Sequence, residues 1–255
     1  MSEPLLSLKE VSMHFGGLKA LDRISFELHE GEILGLIGPN GAGKTTCFNT
    51  ISGVYRPTAG MILFGGVRTD GLPPQRMAAL GIGRTFQIVR PFPNLTVLEN
   101  VIVALGLGCY RGIIPSCSSW RGKVTREKAM ELLSKVGLKD AATQKAGLLP
   151  LGNLRRLELA RALALNPRLL LLDESFSGLR HEEISMQEQL VRQTRASGIS
   201  VLLIEHNMRV AMGLSDRLVV LDHGLKLAEG KPESIRKNPD VIRAYLGKGD
   251  EQDAA

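Results

Sequence analysis

Apolar and polar positions along this chain follow two periods, and the change of period divides it. Between Leu5 and Phe26 apolar residues alternate with polar ones around a Gly16-Gly17 break, the pattern of half-buried strands joined by a tight turn. Met61-Ile62-Leu63-Phe64 before Gly65-Gly66 is a further strand and turn signal. Glu32–Ile37 reads as a short apolar strand, and 169–172 and 199–204 are further runs without alternation. Strands covered on both faces read this way, so these runs predict a buried, mainly parallel sheet. Leu218–Leu221 and Leu225–Leu227 flank Asp222-His223-Gly224 and predict a final hairpin. From about Pro91 to Ala146 the spacing turns helical, in Val97, Val101 and Leu105 and again in Met130, Leu133, Val136 and Leu138, with a Gly/Pro/Ser-rich break from Gly106 to Ser119. A helix over Leu154–Leu165 is stopped by Asn166-Pro167. The expected fold class is α/β, a core with a mainly parallel sheet, an N-terminal antiparallel β part and an inserted helical subdomain. Residues 1–86 and 159–234 form the core, 87–158 the helical subdomain, and 235–255 a C-terminal helix and a mobile tail from Gly247.

Composition narrows the class. A chain of 255 residues, 44% of them apolar, suits one large α/β domain with a subdomain. The formal charge of +6, from 32 basic and 26 acidic side chains, is compatible with nucleic acid or an anionic membrane surface, but no basic run is long enough to favour either, and the expectation is a solvated, mildly basic surface. Cys47, Cys109 and Cys117 are odd in number and form no C-x-x-C pair, which favours small core residues in a reducing compartment. The N-terminus has no basic region before an apolar stretch and does not read as a secretory signal. The apolar stretch Val101–Tyr110 is too short for a bilayer, where ~20 residues are needed. The expectation is a soluble protein whose membrane role comes through a partner.

The chemistry collects at the ends of the apolar runs. Gly38-Pro39-Asn40-Gly41-Ala42-Gly43-Lys44-Thr45-Thr46 fits the phosphate-binding pattern G-x-x-x-x-G-K-[ST], after a predicted strand and opening a predicted helix. Its glycines let backbone N–H groups reach phosphate oxygens with no Cβ in the way. Lys44 supplies a point charge for the β- and γ-phosphates, Thr45 a hydroxyl for Mg²⁺, and the helix its positive end. Asp173 and Glu174 end another apolar run. An acid at the end of a buried strand requires a partner, and Mg²⁺ held through Thr45 and water would be one for Asp173. Glu174 is placed to polarise an attacking water, a role worth about 10²–10⁴ in rate. His206 ends a third run, at the edge where ligands gather in parallel sheets, with a purely structural histidine as the alternative. Gln87 stands where the core passes into the helical region and by itself means little.

In this order, Gly38–Thr46, Gln87, the segment Leu149–Arg156, Asp173-Glu174 and His206 resemble the ATP-binding subunit of ABC transporters, over residues 5–247. The resemblance implies an ATPase with ATP and Mg²⁺ as cofactors. It places Thr45, Gln87 and Asp173 around the metal and Lys44, Gln87, Glu174 and His206 in catalysis. Gln87 would link the site to membrane permease subunits and His206 would contact the γ-phosphate. Phe15 stands where an aromatic stacks on adenine in that family, although a core phenylalanine would look the same. Two subunits would close head to tail, each ATP lying between one P-loop and the other subunit's signature segment. Such a protein works in the cytoplasm, peripheral on the inner face of the cell membrane.

Closer similarity is to the branched-chain amino acid importer type, through His14-Phe15-Gly16-Gly17-Leu18-Lys19-Ala20, Arg84-Thr85-Phe86-Gln87, the extended segment 106–120, and the stretch 238–247. Three positions depart from the family. The signature L-S-G-G-Q is here Leu149-Pro150-Leu151-Gly152-Asn153, Ser175 replaces the proline after the glutamate, and Arg180 replaces an aspartate or asparagine. Pro150 brings neither a hydroxyl nor an N–H to the neighbour's γ-phosphate, whereas the residues serving this chain's own ATP are intact. That pattern suggests a non-identical second ATPase subunit with one strong and one weaker site. A homodimer in which Gly152 and the helix dipole suffice is the alternative. Rival functions are a related transporter for amide or urea import or lipid export, and a soluble ATPase acting on nucleic acid or the ribosome.

Overall fold

The computed structural model describes residues 3–85, 91–106 and 122–246. Gln87, Cys109, Cys117, most of the extended segment 106–120 and the tail from Gly247 lie outside the described residues. The N-terminal alternation becomes an antiparallel sheet of β1 (Leu6–Phe15), β2 (Leu18–Leu28), β4 (Ala59–Phe64) and β5 (Val67–Arg68), in the order β2-β1-β4-β5. The unbroken apolar runs become β3 (Ile33–Ile37), β7 (Leu169–Asp173) and β8 (Ser200–Ile204), in which every residue is buried. With β6 (Ile82–Arg84), β9 (Arg217–Asp222) and β10 (Leu225–Gly230) they form a second sheet, ordered β10-β9-β3-β8-β7-β6. All its pairings are parallel except the expected β9–β10 hairpin.

Each buried strand feeds two cores. Leu34, Leu36, Leu169, Leu171, Leu202 and Ile204 pack with the antiparallel sheet around Phe48, Cys47 and Ile51 of α1 (Lys44–Ile51). Ile33, Leu170, Leu172, Val201 and Leu203 face the helices on the other side. Each fully buried leucine or isoleucine stabilises by about 1.5–3 kcal/mol relative to exposure, so neither face tolerates a register slip. Burial also pushes the Cys47 thiol up to about 12.

Three helices of the helical region share the second core: α3 (Val97–Gly106), α4 (Lys123–Lys135) and α5 (Leu151–Leu163). Thr96 and Glu99 cap α3 reciprocally, the Glu99 N–H donating to Thr96 Oγ1 (3.1 Å) and the Thr96 N–H to Glu99 Oε2 (2.8 Å). The helical spacing expected through Val136 and Leu138 is corrected: α4 stops at Lys135, because Gly137 turns left-handed at φ 67°. Val136 and Leu138 are buried all the same, so their spacing reports the core and not a helix. Likewise α5 begins at Leu151, directly after Pro150, rather than at Leu154. The remaining α-helices among the described residues are α2 (Pro74–Leu80), α6 (His181–Ala196), α7 (Met208–Leu214), α8 (Pro232–Arg236) and α9 (Pro239–Leu246). Among the described residues no helix is long and apolar enough to cross a membrane.

Candidate functional site

Sheet order brings the site together. β3, β8 and β7 are neighbours and parallel, so the P-loop after β3, His206 after β8 and Asp173-Glu174 at the end of β7 meet at one edge, although 129 to 162 residues separate the last two groups from Lys44. The loop itself is fixed by close contacts. Gly38 has φ 152° and Gly43 φ 100°; a Cβ on them would lie 2.1 Å from the Leu221 carbonyl oxygen and 2.5 Å from that of Ala20. Lys44, only 6% exposed, curls over the loop and donates from Nζ to the carbonyls of Gly38 (2.6 Å) and Pro39 (2.9 Å).

A cavity of about 550 Å³ opens beside the loop. Of the residues singled out from the sequence, Phe15, Asn40, Gly41, Ala42, Gly43, Lys44, Thr45, Thr46, Glu174 and His206 line it, together with Leu18, Lys19, Ala20 and His223. Phe15 is 42% exposed at the cavity and meets Tyr55 edge to face, centroids 5.3 Å apart. That removes the core reading of Phe15. Gly38 and Pro39 lie behind the cavity as acceptors for Lys44.

The acidic end is more tightly built than the sequence suggests. Asp173 is 2% exposed; its Oδ2 accepts from the Arg84 guanidinium at 2.9 Å, and its Oδ1 has no hydrogen-bond partner among the described residues. Burial raises the Asp173 carboxyl above its usual range, and Arg84 opposes that rise. The expected partner of Asp173 was a metal; the structure adds a protein cation that sequence reading missed. Glu174 sits at φ 48°, a left-handed conformation costing about 1–3 kcal/mol in a residue with a side chain, which marks a turn held by its surroundings. Its N–H donates to the Ile204 carbonyl at 3.0 Å, and its Oε1 lies 2.7 Å from His206 Nε2. The carboxylate–imidazole pair faces the cavity.

Glu205 is a second residue that pattern reading passed over. It is 3% exposed and accepts the Phe176 N–H on Oε1 at 3.1 Å, bracing the turn that carries Glu174. Burial, with Glu174 and Asp173 nearby, raises its carboxyl to about 7, against the pull of the Phe176 N–H and Arg155. Nothing in its place after an apolar run distinguishes it from a solvated acid.

The departing positions are also in view. Pro150 is the N-cap of α5 and makes no side-chain cap; Leu148 and Leu151 beside it are 78% and 41% exposed. Ser175 is buried, its Oγ 3.4 Å from Thr85 Oγ1. The Arg180 N–H donates to Glu183 Oε2 at 2.9 Å while its side chain stays exposed.

A glycine loop before a helix, a buried lysine, a buried carboxylate oxygen without a hydrogen-bond partner among the described residues and a carboxylate–histidine pair are together suited to phosphoanhydride hydrolysis. Similarity to known proteins agrees. The ABC transporter family profile matches residues 21–177, and that of the branched-chain amino acid ATP-binding cassette transporter matches residues 226–251. The chain is 45% identical over 254 residues to the high-affinity branched-chain amino acid transport ATP-binding protein LivG of Escherichia coli (strain K12), covering 97% of this chain and 100% of that protein. It is 42% identical, with the same coverage, to BraF of Pseudomonas aeruginosa, which bears the same description. Among solved structures, the ADP conformation of MJ1267, an ATP-binding cassette of an ABC transporter, superposes with a TM-score of 0.86 at 30% identity, over 97% of this chain and 100% of that one. A dimeric post-hydrolysis cassette, MJ0796 bound to ADP and Pi, gives 0.76 at 30% identity over 89% and 98%. The chain belongs to the ABC transporter family, as one of its ATP-hydrolysing cassettes.

Proposed function

We propose that this cassette powers import of branched-chain amino acids. The observation that carries the solute is likeness at both ends of the chain: near-full-length similarity to the two transport proteins above, and the separate C-terminal match over 226–251, which spans α8 and α9. The ATPase site does not touch the solute, so amide or urea import remains the nearest rival and lipid export a more distant one.

In the proposed cycle Phe15 stacks on adenine and the amides of Gly38–Thr46 cradle the phosphates. Lys44 exchanges its loop carbonyls for phosphate oxygens. The buried, unpartnered Asp173 Oδ1 and the exposed Thr45 hydroxyl fit a divalent cation, with Gln87 the third residue expected around it. Mg²⁺ bound there would offset phosphate charge. Glu174 aligns and deprotonates the attacking water, and His206, 2.7 Å away, holds Glu174 and the γ-phosphate in register. Gln87 passes closure to the helical subdomain, residues 87–158, against a core of 1–86 and 159–234. The protein would sit on the inner, cytoplasmic face of the membrane, against permease subunits and a second ATPase subunit. The exposed leucines around Pro150 support a non-identical partner, because this signature offers the neighbour's phosphate an apolar rim. No nucleic-acid partner is proposed.

Labelled-leucine uptake in cells lacking this chain tests the reading. Uptake should return with wild type and not with Lys44→Ala. Unchanged uptake in the deletion strain would sink the solute assignment and turn the search to amides and urea.

A further inference from the structure

Arg84 is heavily engaged behind the site. It ends β6, which pairs in parallel with β7. Its guanidinium donates to three groups: Asp173 Oδ2 at 2.9 Å, Asn49 Oδ1 at 2.8 Å and Ser52 Oγ at 2.7 Å. The carbon of the guanidinium lies 5.9 Å from the centre of the Phe48 ring. The side chains of Arg84 and Asp173 are 11% and 3% exposed. Asn49 and Phe48 belong to α1, and Ser52 caps its C-terminus. The same α1 begins at Lys44-Thr45.

We infer that Arg84 is a positioning residue for the cation site, a clamp fixing the Asp173 carboxylate against α1 so that Oδ1 faces the metal at a set distance from Thr45. The inference rests on the reading of Asp173 and Thr45 as the metal's residues. Planarity makes the clamp possible. A fork of fixed donors spans three acceptors in one orientation, whereas an ammonium is a point charge on a flexible stem. One carboxylate oxygen is thereby taken and the other left open, the division of labour expected of a group that orients a metal ligand from behind. Buried without Arg84, Asp173 would face a desolvation cost and would be free to turn or to bind a proton.

The test is Mn²⁺ affinity, read by electron paramagnetic resonance with a non-hydrolysable ATP analogue bound, on the full chain. Analogue affinity without metal and thermal melting are read in parallel. Arg84→Met should weaken Mn²⁺ by ~10-fold or more, the size seen for groups that orient metal ligands, while metal-free analogue binding changes less than about threefold. Arg84→Lys should fall between. Asn49→Ala with Ser52→Ala keeps the charge pair but removes two anchors, and should weaken Mn²⁺ by about threefold. If Arg84→Met does not fold, this double variant decides, and unchanged Mn²⁺ affinity in it overturns the clamp. Tighter Mn²⁺ binding by Arg84→Met would also overturn it, by making Arg84 a competing cation. Asp173→Asn separates the two layers. Loss of Mn²⁺ there with none in the Arg84 variants sinks only the clamp; no loss there sinks the metal reading beneath it.

Discussion

Asp173 and Glu205 end adjacent strands, both buried, yet only Asp173 has a guanidinium at hydrogen-bonding distance. Glu205 faces the Phe176 N–H and Arg155 on the favourable side and Glu174 and Asp173 on the other, and burial outweighs all of them. Its folded-state value of about 7 lies above the ordinary 4.5. The proton is therefore bound more tightly in the folded chain. The stability it confers is complete below about pH 4.5 and is lost as pH rises through 7. Glu205→Gln retains an acceptor for the Phe176 N–H and cannot ionise. In the nucleotide-free protein it should melt close to wild type at pH 5 and higher at pH 8, by up to about 3 kcal/mol. Equal melting at pH 8 would show that Glu205 ionises at little cost. Neither the burial of Glu205 nor the reach of Arg84 could be read from the chain. Both sit at strand ends, where the apolar run that reports burial stops, and their contacts lie 29 and 89 residues away.

At the scale of elements, α5 presents the position that departs most from its family. Pro150 holds φ −64° and ψ 159°, a normal N-cap conformation, so the helix starts well without a hydroxyl. Pro150→Ser should then leave melting nearly unchanged. A serine cap contributes about 0.5–2 kcal/mol, and loss of proline stiffness in the unfolded chain costs about 0.4–1 kcal/mol. Its effect should appear in turnover. Restoring one hydrogen bond to a charged phosphate, worth about 1.5–3 kcal/mol, would raise hydrolysis at the partner's site ten- to a hundredfold. Steady-state ATPase of the assembled transporter measures it; no increase would mean that Gly152 and the helix N-terminus already suffice. The same helix shows how far element boundaries are legible. Its apolar period finds its body, but its start is set by Pro150, four residues before that period begins.

For the whole molecule, the proposed partnership predicts unequal sites. Glu174→Gln here and the matching change in the partner should reduce turnover unequally, the larger loss coming from Glu174, because this chain's ATP has every one of its own expected residues and the partner's ATP faces the altered signature. Equal losses would rule out asymmetry. Much of the architecture was legible beforehand. Unbroken apolar runs are what a sheet covered on both faces demands, and a glycine loop between strand and helix is what a phosphate demands, so fold class, P-loop and acidic pair follow from pattern, whereas His206 by itself reads as structural and takes its expected role from the family resemblance. The order β3-β8-β7 that makes neighbours of Lys44, His206 and Asp173 is decided by packing across the sheet. So are the Arg84–Asp173 contact, the burial of Glu205 and the exposure of Phe15. These are contacts between segments far apart in the chain, and residue spacing carries information only about neighbours on the same element. Sequence by itself determined which chemistry the chain can carry; tertiary structure alone decided which groups are buried, charged and aimed at it, because solvent exclusion and distance exist only once the chain is folded.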